Sequence, residues 1–302
     1  MSRLAALVLF TVLLTMVLVP VPAAQASGGS SGVDPLVERD GIVPTTLLGR
    51  GMVGDWDHVV QVVSWLRYRP PRRRVVYLLG GSATRESVVS ESAWAAQLTR
   101  MTGRPATTFV CASSCQTFEE DARIVKALPR YRGTVLISVG LSRFNMLHPP
   151  ALLPRYSIRR TAPVPWYQHH YDLKASFSYA QKRRAVREWM EDRYAVFLAR
   201  YQARLADLEK VIVACEARGL RVALLEMPLN LPVVGDDFDE PLATYRSACL
   251  ELAGKHGIKY IDFLSAIGLQ NRDFHDLQHL LPSGRSRWQA RLSRELLRKG
   301  LI

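Results

Sequence analysis

The sequence predicts an α/β protein built on a doubly wound parallel sheet. Three observations carry the prediction. Val75 to Leu79 is an unbroken run of apolar, β-favouring residues, as expected of a strand buried on both faces. Gly80 and Gly81 end that run sharply, just before Ser82. Strand-like and helix-like patterns then alternate, the order that lays helices on both faces of a parallel sheet.

Taken in order, Val59 to Leu66 has amphipathic helical spacing and is expected to pack beside the first strand. Pro70 to Arg74 is a basic turn. Glu91 to Met101 reads as a helix ended by Thr102-Gly103, Thr107 to Cys111 as the second strand and Ala112 to Gln116 as a loop. Phe118 to Leu128 places Phe118, Ala122, Val125 and Leu128 on one helical face. Thr134 to Val139 is the third strand, ended by Gly140. Leu147 to about Ala185 breaks the rhythm with prolines, arginines and aromatics and reads as an insertion. Arg187 to Arg218 is a long charged helix, Val222 to Leu225 the fourth strand and Glu226 to Glu240 a Pro/Asp loop. Leu242 to His256 is a helix, Tyr260 to Phe263 the fifth strand and Pro282 to Lys299 the closing helix. The chain has no internal repeats.

The 302 residues suffice for one large domain with its own core. Forty Lys and Arg against 27 Asp and Glu leave a net charge of +13, which favours anionic partners or simply makes an Arg-rich surface. No nucleic-acid-binding motif accompanies the charge, so no nucleic-acid partner is expected. Arg3, the apolar run Leu4 to Val19 and the small-residue site Ala24-Gln25-Ala26 read as a secretory signal cut after Ala26. An uncleaved anchor over residues 4–19 is the alternative. Ser27 to Gly32 is a Ser/Gly linker. In an exported chain the four cysteines invite two bridges, and proximity suggests Cys111 with Cys115 and Cys215 with Cys249; buried free thiols are the alternative.

Ser82 falls at the carboxyl edge of the sheet, where open α/β folds place their ligands. Two glycines before it leave the hydroxyl exposed; the competing reading is a helix cap. Asp276 and His279 stand three apart in a turn before the last helix, at the same edge. That spacing lets the carboxylate fix the imidazole's tautomer while the imidazole serves as general base. Ser82, Asp276 and His279 thus make a candidate triad. His275 and His279 stand at a metal-binding i, i+4 spacing, but Pro282 argues against a helix through them. No metal and no organic cofactor are expected.

These blocks resemble those of the SGNH, or GDSL-type, hydrolases. The strand followed by G-D-S appears as Gly80-Gly81-Ser82, and D-x-x-H as Asp276-Leu277-Gln278-His279. The second block, often S-G-x-T, resembles Ser114-Cys115-Gln116-Thr117; the third, G-x-N-D, resembles Gly140-Leu141-Ser142-Arg143. The resemblance spans roughly Val75 to Leu297 and implies a flavodoxin-like, three-layer fold with five parallel strands. Together with the N-terminal reading, this divides the chain into residues 1–26 as signal or anchor, 27–69 as linker and extension, and 70–302 as the hydrolase-like domain with its insertion at about 147–185. It implies acyl-ester chemistry, by hydrolysis or O-acyl transfer, on a cell-envelope carbohydrate or lipid. The implied oxyanion hole consists of the N–H groups of Ser82 and Cys115 and the Ser142 side chain. Gly81, Cys115 and Ser142 depart from the family's Asp, Gly and Asn, so Arg143 or Asn145 could reach in instead. The departures motivate an alternative, a binding or scaffold protein for an anionic envelope polymer. The insertion, with Arg159, Arg160, Trp166 and Tyr167, is expected to cover the Ser82 pocket and select an anionic substrate.

Overall fold

The computed structural model describes residues 55–69, 74–130, 132–145, 163–167, 170, 173 and 175–302. Helix α1 (Asp55–Tyr68) leads into strand β1 (Arg74–Gly80), the one-turn helix α2 (Ser82–Arg85) and α3 (Glu91–Thr102). Then follow β2 (Ala106–Ala112), α4 (Phe118–Ala127), β3 (Gly133–Val139) and the short α5 (Leu141–Phe144). Helix α6 (Tyr179–Glu188) passes through a widened π turn (Trp189–Arg193) into α7 (Tyr194–Glu216). Strand β4 (Arg221–Glu226), α8 (Leu231–Val234), α9 (Asp239–Lys255), β5 (Lys259–Ile261), α10 (Leu264–Ile267) and α11 (Pro282–Arg298) complete the order.

The five strands are all parallel, in the order β2-β1-β3-β4-β5. This is the doubly wound order whose ligand crevice opens between β1 and β3, where the chain changes direction across the sheet. Both faces are covered, which is why the strands read as continuous apolar runs. Within β1 the two-residue period splits the packing. Val75, Tyr77 and Leu79 join the core under α1, α4, α7 and α9. Val76 and Leu78 join the opposite core, with Trp94 and Leu98 of α3 and Trp288 and Leu292 of α11.

Local chemistry sets the helix ends. Ser90 Oγ accepts from Ala93 N–H at 3.1 Å to start α3, and Gly103, at φ 66°, closes it in the left-handed region. Thr117 with Glu120, and Ser178 with Gln181, form reciprocal capping boxes on α4 and α6.

Three expectations change. Residues 55–68 are not an extension outside the domain: Val59, Val60, Val62, Val63 and Leu66 are buried in the core shared with the sheet. The helix expected from Arg187 begins at Tyr179, inside the predicted insertion, because Ser178 caps it there. The cysteines are unbridged. Cys111 faces the α1/α4 core from β2, whereas Cys115 lies beyond the strand end in a left-handed loop conformation; Cys215 and Cys249 are separate buried thiols. Burial pushes all three buried thiols well above the ordinary range. Among the described residues no helix is long and apolar enough to cross a membrane. The proposed leader and anchor, residues 1–26, lies outside them.

Candidate active site

The turn after β1 has room for only one kind of residue at position 80. A Cβ on Gly80 would stand 1.9 Å from Ser138 Oγ and 2.2 Å from Thr84 Oγ1. Those two hydroxyls are themselves joined, Thr84 donating to Ser138 at 2.8 Å, and they tie α2 to the end of β3. Gly81 occupies the helix cap, so Ser82 is the first helical residue and its hydroxyl is not used as a cap.

The partner loop is held just as closely. Asp273 is buried and accepts from Gln270 N–H, Ser283 Oγ and Arg287, and a bridge between Phe274 and Leu280 pinches the chain into a tight turn. Residues 275–279 are therefore a turn, not a helix, and His275 rests on Phe177 with its ring centroid 4.3 Å away. Asp276 Oδ1 accepts from the N–H groups of Gln278 (2.9 Å) and His279 (2.8 Å). Asp276 Oδ2 accepts from His279 Nδ1 at 2.6 Å, and His279 Nε2 lies 2.9 Å from Ser82 Oγ. With Nδ1–H directed at the carboxylate, Nε2 is the basic nitrogen and accepts from the Ser82 hydroxyl. Burial favours the neutral Asp276 carboxyl, but the His279 hydrogen bond and charge and the two backbone N–H groups outweigh it. They hold Asp276 ionised, its pKa lowered to about 2.

A residue that the sequence reading missed anchors this loop. Lys182 of α6 is fully buried. Its ammonium donates to Ser176 Oγ (2.7 Å), Asn271 Oδ1 (2.7 Å), Asn271 O (3.1 Å) and Phe274 O (2.9 Å). Asn230 adds a second tie, its side chain donating to Asp276 O at 3.1 Å and its backbone N–H to Leu277 O at 2.8 Å. A lysine in a charged helical stretch gives no sequence signal of burial.

Around the serine, the remaining predicted residues divide. In the first turn of α2 the N–H groups of Thr84 and Arg85 bond to Gly81 O, which leaves those of Ser82 and Ala83 as donors beside the hydroxyl. Ser142 borders the same cavity, but its hydroxyl already donates to Gln278 Oε1 at 3.1 Å, which removes it as a free donor. Cys115 does not border the cavity; it stands at φ 57°, a conformation natural to the glycine of the resembled block. Arg143 is buried, its terminal nitrogens held by Gln116 O and Asp121 and its guanidinium 4.4 Å over Phe118. Its Nε has no partner among the described residues, and its Cδ is 3.9 Å from where a Gly81 Cβ would stand. Asn145 does not border the cavity.

The aromatic part of the insertion is elsewhere. Trp166 stacks on Phe109 with centroids 5.9 Å apart. Tyr167 is buried; its N–H donates to Glu91 and its hydroxyl accepts from Arg85 Nε at 2.7 Å. Both pack on the β2 side, where Arg85–Asp55 (2.9 Å) and His58–Glu91 (2.8 Å) form a buried charged network, so neither contacts the cavity. Arg159 and Arg160 lie outside the described residues. The insertion does reach the cavity through its last stretch, with Phe177, Lys182 and Ala185.

The cavity itself has a volume of about 350 Å³. Ser82, Ser142, Asp276 and Gln278 border one end, and Trp189, Met227, Leu229, Phe238, Leu242 and Tyr245 wall the rest. Half of these six apolar walls, Met227, Leu229 and Phe238, come from the segment read as a Pro/Asp loop, which folds into α8 and the start of α9.

No family model and no curated protein matches the chain. Among solved structures it is similar to the YxiM protein of Bacillus subtilis, at 15% identity over 77% of this chain and 58% of that one, TM-score 0.44. The chain thus spans less than two thirds of YxiM. It is also similar to Axe2, an acetylxylan esterase from Geobacillus stearothermophilus, at 11% identity over 74% of this chain and 94% of that one, TM-score 0.47. A third likeness is to a lipase/acylhydrolase from Enterococcus faecalis, at 12% identity over 74% and 95% of the two chains, TM-score 0.38. Likeness at this level carries no argument about activity. The doubly wound α/β fold stands on this chain's own strand order and register.

Proposed function

We propose that the protein is an exported serine esterase of the SGNH type, cleaving acyl esters at the cell envelope. The observation that supports this most is the continuous chain from Asp276 Oδ2 through His279 to Ser82 Oγ, with contacts of 2.6 and 2.9 Å. Ser82 Oγ attacks the ester carbonyl carbon as its proton passes to His279 Nε2, and Asp276 supports the imidazolium that forms. The oxyanion is met by the N–H groups of Ser82 and Ala83 at the start of α2. Collapse breaks the bond to the alcohol, which leaves with the proton from His279. Water then attacks the acyl-enzyme, giving its proton to His279, and the acid leaves as the proton returns to Ser82. An acceptor hydroxyl in place of that water makes the same site an O-acyltransferase. Export rests on the signal-like residues 1–26.

A second reading, a binding protein on the same fold, draws on the commitment of the Ser142 hydroxyl to Gln278. A small fluorophosphonate probe separates the two, since it phosphonylates only an activated serine. We expect one adduct per chain, mapped by peptide mass to Ser82 and lost in His279→Ala. A folded protein that stays unlabelled favours the binding reading.

A further inference from the structure

We infer that the cavity beside Ser82 is an acyl pocket for a medium-length saturated chain of about eight carbons, rather than for acetyl or an anionic group. The inference rests on the serine-esterase reading for its chemistry and on the cavity for its specificity.

Size sets the length. An apolar cavity of about 150 Å³ takes up benzene. At about 350 Å³ this one holds roughly twice as many carbons, part of that space being needed for the reacting ester. An acetyl group would leave most of it empty.

The distribution of burial gives the cavity a direction. Phe238, Leu242, Tyr245 and Met227 are buried and form its floor, while Phe177, 47% exposed, stands at the rim. Trp189 is half-buried and leans on Phe238, with ring centroids 4.8 Å apart.

The wall chemistry then selects the ligand. Sugar hydroxyls and phosphates need free donors or acceptors in the wall. The polar side chains along the body are already paired. Thr84 donates to Ser138, the Tyr245 hydroxyl donates to Glu226, and the Lys182 ammonium is held by Asn271, Phe274 and Ser176. At the mouth the Ser142 hydroxyl is spent on Gln278 Oε1, which leaves the Gln278 amide N–H groups at that end. Free polar capacity is left at one end, at Ser82 and the Gln278 amide, where the ester carbonyl has to lie. A linear chain with a single polar head matches that pattern.

The test compares kcat/KM for p-nitrophenyl acetate, butyrate, octanoate, palmitate and benzoate. Each buried methylene is worth about fourfold. Even with partial burial, octanoate should exceed acetate at least ~100-fold, with palmitate and benzoate below octanoate. Leu242→Trp, which fills the floor, should lower the octanoate-to-acetate ratio at least ~10-fold; Trp189→Ala should move the optimum to longer chains. Opposite shifts from the two variants cannot arise from misfolding. Acetate as the best substrate, or a profile flat within about threefold, overturns the inference. Calorimetric binding of 1-octanol reads the cavity without turnover: saturable binding lost in Leu242→Trp is expected, and no binding to the wild type overturns the pocket. Octanol binding with no labelling of Ser82 and no ester turnover would instead overturn the esterase reading alone.

Discussion

Replacing Lys182 by methionine tests how the reactive loop is held. The change keeps the stem's shape and removes the ammonium. Its N–H donors serve four acceptors in three residues, at 2.7 to 3.1 Å, and the side chain is fully buried. Charge-assisted bonds of this kind are worth about 1.5–3 kcal/mol each, and each orphaned buried acceptor costs about 1–3 kcal/mol. Against this, the variant no longer desolvates a cation; burial pulls the Lys182 pKa down, the mark of that cost. The balance is a net loss of about 3 kcal/mol, set by the neutral acceptors left unpaired. In a domain of this size that lowers Tm by roughly 6–12 °C. Asn271 and Phe274 also lead directly into the turn that carries Asp276 and His279, so kcat should fall more than KM rises. Urea denaturation at neutral pH and steady-state kinetics on the soluble variant provide the two readouts. A stability change below about 0.5 kcal/mol refutes the worked magnitude. A destabilised variant with unchanged kcat refutes the positioning role.

Three further outcomes follow from the same geometry. Gly80→Ala drives a methyl into the Thr84–Ser138 pair and should cost at least ~2 kcal/mol, whereas Gly81→Ala, whose Cβ meets nothing closer than 3.9 Å, should be nearly neutral in denaturant melts. Cys115→Gly relieves a left-handed non-glycine residue and should stabilise by about 0.5–1 kcal/mol; destabilisation would refute the strain argument. The Asp276 carboxyl sits at about 2 in the folded chain against an ordinary 3.8. Its contribution of about 2 kcal/mol is present above about pH 5 and lost as pH falls through 2, with about half gone by pH 3. Asp276→Asn should flatten that part of the urea-midpoint profile.

The sheet was legible because strands buried on both faces are mostly apolar, as Val75–Leu79 and Val135–Ile137 are. The Ser82, Asp276 and His279 juxtaposition was legible because short-range turns follow spacing, and the sheet order brings both turns to one edge. What lies between was not. Segment 163–170 has the composition of a substrate arm, but a tyrosine that packs on a buried arginine looks the same in sequence as one that meets ligand. The cavity escaped for a related reason. Its walls come from residues far apart in the chain, Phe177, Trp189, Met227 and Leu242, and no periodicity links them. Lys182 and the Arg143–Asp121 pair are buried charges whose partners are distant or perpendicular to any helical pattern; burial raises Asp121 to about 6 against the pull of Arg143.

The most direct test of the account is the pre-steady-state release of p-nitrophenol from the octanoate ester. An activated Ser82 predicts a burst of about one equivalent per chain, an intact-mass increase of one octanoyl group located on the peptide holding Ser82, and loss of both in Ser82→Ala. Turnover without an acyl-enzyme, or a burst that survives Ser82→Ala, would contradict it.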